Sequence, residues 1–286
     1  MEWERAKTYL LLFFVLLNLT LGGLLILERR RYTVTPEREQ AIITIMNQNN
    51  IEMDTRLIRR FPPMRALYVT GFYYDAFRLA DIFFGGANTQ HVTTSRGHEF
   101  TNGAAELIIS NGFISYNNPE GHGGQEGWQS GLSQAEAQRI TTAFVQANWP
   151  DFRLDAIFIG PDWWRFSYRH VYRGYVIHTN FIEIIVTDNG IVQVEKQFAP
   201  VQEWAEDERP IVAPDIALLT FVQRIRALTN ALASPMVITD MDLVYFQIEG
   251  SADATTNYLA VPFYRVFAGD DRDPFLINAF TNEIIN

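Results

Sequence analysis

The uncharged run from Leu10 to Leu27 constrains this chain more than any other feature. It is composed of Leu, Phe, Val, Ile and Gly with one Asn and one Thr. At a rise of about 1.5 Å per residue, a helix of this length spans roughly 27 Å, close to the hydrocarbon thickness of a bilayer. Trp3 and Tyr9 precede or begin the run, where interfacial aromatic residues are expected. The run therefore predicts a single transmembrane helix within residues 1–31.

A cleaved signal peptide is the alternative interpretation of this run. Such a peptide ends in small residues at its cleavage site. This run instead ends in Leu25-Ile26-Leu27 followed by Glu28 and Arg29. The sequence therefore favours an uncleaved anchor.

The charges around the run give a weaker indication of orientation. Arg5 and Lys7 precede it, and Arg29, Arg30 and Arg31 follow it, so the positive charge is nearly balanced. Long downstream domains translocate largely regardless of flanking charge. We expect a cytoplasmic N-terminus in the cell membrane, with residues 32–286 outside the cell.

The remainder of the chain is acidic and lacks cysteine. The net charge is -10, and residues 1–31 carry five basic and three acidic residues, or +2, which leaves -12 for residues 32–286. This balance argues against nucleic acid as a partner and against broad adhesion to anionic lipid. The absence of cysteine excludes disulfides and thiolate metal sites.

The pattern of apolar residues predicts an α+β fold. Helices are expected from Pro36 to about Asn49, from Tyr74 to Phe84, from Ser133 (with Glu136 in a capping box) to Asn148, and from Pro214 to about Asn230. Strands are expected at 51–58, 65–72, 89–100, 105–110, 113–117, 152–159, 163–172, 175–187, 191–198, 236–249, 258–267 and 275–285. An order of helix followed by antiparallel strands recurs, as expected for helices packed on antiparallel sheets.

Two stretches predict the domain boundaries. The glycine-rich segment 119–127 is expected to connect an N-terminal subdomain, 32–125, to a C-terminal subdomain, 126–286. Within the latter, the acidic segment 206–210 is expected to link two helix-then-strands units, at about 132–200 and 211–286.

A search for catalytic or metal-binding patterns yields no positive prediction. Of the five histidines, His170 and His178 lie on opposite arms of a predicted hairpin, where two half-exposed sheet histidines are expected. Asp240 and Asp242 alternate on a strand and are expected on its solvent face. The segment 270–274 resembles a calcium loop but lacks its glycine and distal glutamate. The alternating aromatic residues of the segment 163–168 predict the core and surface halves of a sheet more than a sugar-binding platform. We therefore predict no enzyme activity, no cofactor and no metal.

The polar residue Asn18 near the middle of the apolar run is the clearest candidate for function. An unpaired amide in hydrocarbon costs several kcal/mol, whereas an interhelical hydrogen bond contributes about 1–2 kcal/mol in model peptides. Gly22 would allow another backbone to approach closely. The predicted partner-binding face of the helix consists of Leu11, Phe14, Asn18, Leu21, Gly22 and Leu25.

The N-terminal segment 1–8 is followed at once by one apolar span that contains Leu17-Asn18. Four short segments stand further along the chain, at 172–177, 183–190, 260–266 and 277–283. The N-terminal segment with its span resembles the start of the YycI family, single-pass regulators of the WalK (YycG) sensor histidine kinase in Firmicutes. The later segments resemble the C-terminal motifs of that family, with Val176, Tyr264 and Asn282 as departures.

This resemblance implies a specific biology. It implies an extracytoplasmic α+β domain of the YycH/YycI type that pairs with a YycH-like protein. It further implies modulation of the kinase through transmembrane contacts, control of cell-wall metabolism, and no catalytic residues. Whether the effect is inhibition or activation differs among lineages.

Two other functions remain open from the residues alone. One is a membrane-anchored ligand-binding or protease-inhibitory module, with a groove lined by Trp163, Trp164 and Tyr168. The other is an extracytoplasmic hydrolase, which would need a cleft joining His170 or His178 to Asp240 or Asp242.

Overall fold

The structure is a computed structural model that describes residues 2–71, 74–95, 97–110, 112–121, 132–228, 235–248, 257–269 and 273–285. The helices are α1 (Glu2–Arg31), α2 (Pro36–Gln48), α3 (Ala76–Phe84), α4 (Gln134–Asn148) and α5 (Pro214–Leu228). The strands are β1 (Ile51–Met53), β2 (Met64–Thr70), β3 (Gln90–Thr94), β4 (Gly97–Asn102), β5 (Ala105–Ser110), β6 (Phe113–Asn117), β7 (Phe152–Ile159), β8 (Trp164–Tyr172), β9 (Tyr175–Thr187), β10 (Gly190–Gln197), β11 (Val201–Arg209), β12 (Met236–Ile248), β13 (Asn257–Ala268), β14 (Phe275–Asn278) and β15 (Ile284–Ile285).

The chain folds into two compact units that do not follow chain order. Unit 1 combines Met1–Met64, Arg209–Asp242 and Tyr264–Asn286, and unit 2 combines Arg65–Glu208 with Leu243–Phe263. This grouping differs from the linear division at residues 125 and 126 that the sequence suggests. The difference arises because C-terminal segments contribute to both units. Most of the glycine-rich segment, 122–127, lies outside the described residues.

In unit 1, α1 is a continuous helix that is long and apolar enough to span a membrane. The qualifying span is Ala6–Leu24, and the described chain buries none of it. An apolar helix without internal packing gains nothing from the hydrophobic effect within its own chain. Its apolar surface is therefore available to lipid or to another protein.

The short connection after α1 is fixed to the rest of unit 1 by backbone hydrogen bonds. The Val34 N–H donates to the Arg59 carbonyl at 2.8 Å, and the Phe61 N–H donates to the Tyr32 carbonyl at 3.1 Å. Thr35 then caps α2, accepting a hydrogen bond from the Arg38 N–H, and Pro36 occupies the first turn, as the sequence predicts.

Helices α2 and α5 form the helical part of unit 1. The Arg38 guanidinium donates through Nε and Nη2 to the two carboxylate oxygens of Asp215, at 2.8 and 2.7 Å. The predicted apolar face of α5, which consists of Leu218, Phe221, Val222 and Ile225, is buried. In the same unit β1 pairs in parallel with the start of β12, with Ile51 opposite Met236.

Unit 2 is dominated by a large antiparallel sheet. Neighbouring strands along its main run are β7, β8, β9, β10, β6, β5, β4 and β3, and all seven pairs in this run are antiparallel. Helices α3 and α4 contribute to one apolar core with these strands. Phe83 of α3 stacks on Tyr116 of β6 at 4.7 Å and also contacts Phe144 of α4. The α+β class predicted from the sequence is therefore correct.

Four predicted elements differ in the structure. The strand expected at 51–58 ends at Met53, as the short strand β1. The single strand expected at 89–100 is a hairpin of β3 and β4, in which Thr94 pairs with Gly97. The acidic link expected at 206–210 is largely strand β11, which ends one sheet path beside β2. The strand expected at 275–285 breaks into β14 and β15 around a turn in which the Asn278 side chain accepts backbone hydrogen bonds.

Candidate functional site

The face of α1 predicted to bind a partner is exposed along its described length. Leu11 and Phe14 are each 65% exposed, and Leu21 is 50% exposed. A Cβ atom added at Gly22 would meet nothing within 4 Å, so the helix surface is open at that position. The Leu25 side chain lies outside the described residues. These side chains therefore form an unpartnered apolar face within the described structure.

Asn18 on this face keeps part of its hydrogen-bonding capacity. Its Nδ2 donates to the Phe14 carbonyl in the preceding turn, at 2.8 Å. A primary amide also carries a second N–H and an acceptor oxygen. Thr20, which lies on a different side of the helix, donates from Oγ1 to the Leu17 carbonyl at 2.8 Å. Asn18 is thus a polar group with remaining donor and acceptor capacity among apolar neighbours.

A second noteworthy group is Lys196, which is buried in the core of unit 2. The residue is 1% exposed and lies on β10, between Ile182 of β9 and Ile114 of β6 in the strand register. Its Nζ donates to the Tyr74 hydroxyl at 2.6 Å. The ammonium also lies over four aromatic rings, at 4.5 Å from Tyr74, 4.6 Å from Phe198, and 5.5 Å from both Trp149 and Phe152.

Burial sets the acid–base behaviour of this lysine. The loss of solvation lowers the pKa of Lys196 to about 7. The negative faces of the rings favour the charged ammonium and oppose part of this effect. Burial also raises the pKa of Tyr74, so its hydroxyl stays protonated at neutral pH and donates toward the Gly112 carbonyl, at 3.4 Å. The arrangement is a satisfied, enclosed lysine within the core.

The position of Lys196 along its strand already indicates that its side chain is buried. Val194 and Lys196 are two residues apart on a strand, so they point to the same face. Val194 is fully buried. A lysine at an inward position of an alternating strand is rare, and this pattern alone marks it as an unusual group.

The prediction that His170 and His178 are both half-exposed is wrong for His170. His170 is buried at 7% exposure, contacts Phe152 and Phe198, and lies 3.4 Å from the Asn180 amide nitrogen. Burial lowers the pKa of His170, the Asp151 carboxylate raises it, and the Lys196 ammonium lowers it. Since β8 and β9 place Ile177 opposite His170, an apolar environment rather than a solvent face surrounds this ring. His178 is partly exposed and stacks against Phe246 at 6.0 Å.

Asp240 and Asp242, which alternate on β12, differ in exposure. Asp240 is exposed and its carboxylate accepts the Met241 N–H at 2.8 Å. Asp242 is partly buried, and it accepts two hydrogen bonds from Arg265 of β13. A buried arginine therefore gives Asp242 a structural partner, which the strand alternation could not reveal.

The aromatic residues of 163–168 divide between the core and partly exposed positions, and Trp163 and Trp164 are the partly exposed pair. Phe166 is fully buried and Tyr168 is 1% exposed, with its hydroxyl bonded to Thr141 of α4 at 2.9 Å. Since Tyr168 is enclosed, a groove lined jointly by Trp163, Trp164 and Tyr168 is absent from the described surface. Within the calcium-like segment, residues 270–272 lie outside the described residues, as does His122.

The described residues contain no group of three or more His, Cys, Asp or Glu side chains that could hold a metal ion.

Comparisons of sequence give no relatives: no model of a protein family matches this chain, and no curated protein matches it.

Comparison of structure gives remote similarity. An uncharacterized protein from Eubacterium rectale ATCC 33656 matches with a TM-score of 0.55 and 11% identity, covering 82% of this chain and 89% of that one. The C-terminal domain of YpeB from Bacillus megaterium matches with a TM-score of 0.41 and 10% identity, covering 73% of this chain and 95% of that domain. The first similarity shows that the α+β architecture described above occurs in another protein.

Proposed function

We propose that this chain is a non-enzymatic, membrane-anchored regulator that binds the transmembrane helix of a sensor histidine kinase of the WalK (YycG) type. The observation that carries the proposal is α1, whose apolar span Ala6–Leu24 is not buried by the described part of its own chain and bears an amide near its middle. Residues 32–286 then lie outside the cell and the N-terminus lies in the cytoplasm.

The spacing of the exposed face supports docking between helices. Leu11, Phe14, Asn18, Leu21 and Leu25 follow one another at intervals of three, four, three and four residues. This is the spacing of the inward positions in a left-handed helix pair. In such a seam a single asparagine selects register and partner, because only a matching polar group satisfies it. Gly22, beside the seam, removes the side-chain bulk that would separate the two backbones.

The remaining parts of the proposal rest on the resemblance to the YycI family. By that resemblance the extracytoplasmic units pair with a YycH-like protein, and the complex regulates cell-wall metabolism through the kinase. The acidic charge of residues 32–286 supports a protein partner rather than nucleic acid.

Co-purification tests the role of the anchor. The full chain, expressed in membranes with the kinase and solubilised in mild detergent, is expected to retain the kinase on affinity purification. A chimera in which an unrelated transmembrane helix replaces residues 1–31 should reach the membrane in equal amount but lose most of the kinase. Equal recovery by the chimera would contradict docking through α1.

A pair of substitutions tests the seam itself. Asn18→Leu removes the amide from the seam, whereas Thr20→Leu makes a comparable polar-to-apolar change on a different side of α1. In a two-hybrid assay within the membrane, we expect Asn18→Leu to reduce the signal with the kinase and Thr20→Leu to leave it unchanged. If both variants retain the parent signal, or both lose it equally, the proposed seam is wrong.

A further inference from the structure

The hairpin formed by β3 and β4 brings two exposed histidines together. His91 lies opposite Phe100 and His98 lies opposite Thr93, so the two histidines are diagonal neighbours on the same face of the hairpin. The distance between Nε2 of His91 and Nδ1 of His98 is 3.1 Å. The ring planes are inclined by 21° and their centroids are 5.3 Å apart.

Apolar neighbours fix the position of His91 without enclosing its nitrogens. Its ring stacks on Phe100 at 4.5 Å and meets the edge of Phe77 at 5.1 Å. His91 is nonetheless exposed and His98 is partly exposed. The pair is therefore ordered on one side and open to solvent on the other.

We infer that His91 and His98 form a two-imidazole chelate for a borderline transition-metal ion, with Zn²⁺, Ni²⁺ and Cu²⁺ as the class of ligand. Zn–N bonds of about 2.0–2.1 Å in a tetrahedral site place two ligand nitrogens about 3.3 Å apart. The observed separation is close to that value, so the two nitrogens are already spaced for one ion, and both rings turn on binding so that their lone pairs converge on it.

The surroundings define the class of ion and its coordination. Imidazole nitrogens bind zinc, copper and nickel, whereas Mg²⁺ and Ca²⁺ take oxygen ligands. The nearest strand carboxylate, Glu99, lies on the opposite face of β4 and accepts a hydrogen bond from the Thr94 hydroxyl at 2.9 Å. Because the described residues offer no third ligand here, water occupies the other coordination positions, and the site is accessible to small ligands.

The proton in the hydrogen bond between the two rings competes with a metal ion for the ring nitrogens. One ring must donate a proton and the other must accept it, so a bound metal ion displaces the shared proton. Binding of the ion is therefore coupled to release of the proton that the two rings share.

Calorimetric titration tests the proposal on the full chain in detergent, without a polyhistidine tag. Zn²⁺ and Ni²⁺ are expected to bind the parent at one ion per chain. His91→Asn and His98→Asn should each reduce the affinity by more than about ten-fold, because even indirect partners of a ligand are worth that much. His178→Asn, which changes a histidine elsewhere in unit 2, should bind as the parent does. Absence of binding by the parent, or unchanged binding by both hairpin variants, would overturn the site.

A second measurement does not depend on the folding of any variant. Paramagnetic Ni²⁺ should broaden the imidazole proton resonances of His91 and His98 in the parent before those of His170 and His178. Uniform broadening, or broadening elsewhere first, would contradict the chelate. The seam on α1 and this site are independent, so the failure of either leaves the other untouched.

Discussion

Arg265 donates from its Nε and Nη2 atoms to the two carboxylate oxygens of Asp242, at 2.8 and 2.6 Å. Arg265 is buried in unit 1, with 3% of its surface exposed. The guanidinium also lies 4.9 Å from the Phe267 ring. A buried guanidinium is tolerated only while its charge is balanced, because desolvation of an isolated ion is costly. The burial of Arg265 therefore depends on the negative charge of Asp242.

We expect Asp242→Asn to destabilise the protein more than Arg265→Met does. The first change removes the carboxylate that faces a buried guanidinium and should lower the free energy of unfolding by about 3 kcal/mol, the low end for buried pairs because Asp242 is one-third exposed. Arg265→Met removes the buried guanidinium itself, so that no buried positive charge remains for Asp242 to balance. Urea unfolding followed by circular dichroism measures both.

A surface pair serves as the control for this experiment. Glu39→Gln breaks the ion pair of Glu39 with the exposed Arg59 and should cost less than about 1 kcal/mol. If Asp242→Asn costs no more than Glu39→Gln, burial of Arg265 does not depend on Asp242.

The enclosed Lys196 predicts a specific dependence of stability on pH. Its folded pKa of about 7 lies below the unfolded value of about 10.4, so between these pH values the unfolded chain binds more protons. The free energy of unfolding therefore rises with pH across this window, by at most about 1.4 kcal/mol per pH unit from this group, and the contribution is constant below pH 7.

Lys196→Met should remove this rise and stabilise the protein relative to the parent at pH 6. The comparison requires urea unfolding at several pH values. Lys7→Met is the matched control, because Lys7 is the other lysine of the sequence and lies on α1. A parent and a Lys196→Met variant with identical pH profiles would show that Lys196 titrates normally.

The two glycines of the β3–β5 region should differ in their tolerance of a side chain. Gly97 has φ +132°, and an added Cβ would approach the Ile109 carbonyl oxygen to 2.1 Å. Gly103 has φ +60° with nothing within 4 Å, so alanine there meets only the backbone cost of about 1–2 kcal/mol. Thermal unfolding should show a clearly larger loss for Gly97→Ala than for Gly103→Ala, and equal losses would contradict the close approach of β4 and β5.

The contact between α2 and α5 should depend on the shape of the arginine as well as on its charge. Arg38→Lys keeps the charge but loses the two parallel hydrogen bonds to Asp215, and we expect a loss of about 1 kcal/mol. Arg59→Lys, at an exposed ion pair, should change stability by a few tenths. If Arg38→Lys and Arg59→Lys both change the free energy of unfolding by only a few tenths of a kcal/mol, the charge of Arg38 matters and its two parallel hydrogen bonds do not.

Local signals in the sequence predicted much of the secondary structure. The Ser133–Glu136 capping box forms in both directions and starts α4, and strands β5 and β6 have the predicted bounds. In these cases hydrogen bonds between near neighbours determine the structure. The hairpin at 94–97 was not predicted because its turn lacks the usual Asn-Gly or Asp-Gly signal. Without the hairpin, the proximity of His91 and His98 could not be predicted either.

Long-range pairing explains the remaining differences. The sequence of β11 resembles an acidic loop because this strand lies at a sheet edge. Charged side chains at such an edge discourage association with the strands of other molecules. The neighbours of Lys196 and Arg265 come from distant segments, such as Tyr74 for Lys196. The parallel pairing of Ile51 with Met236 likewise joins residues far apart in the chain. Composition and periodicity contain no information about such partners.

The hydrogen-bonded connection between α1 and α2 limits where a partner can meet unit 1. The four residues from Tyr32 to Thr35 span at most about 14 Å even when fully extended. With α1 in a bilayer as proposed, the start of α2 stays within that height of the lipid headgroups. Any protein that contacts the start of α2 must therefore present its own surface close to the membrane, and an ectodomain held well above the bilayer by a long stalk would not reach it.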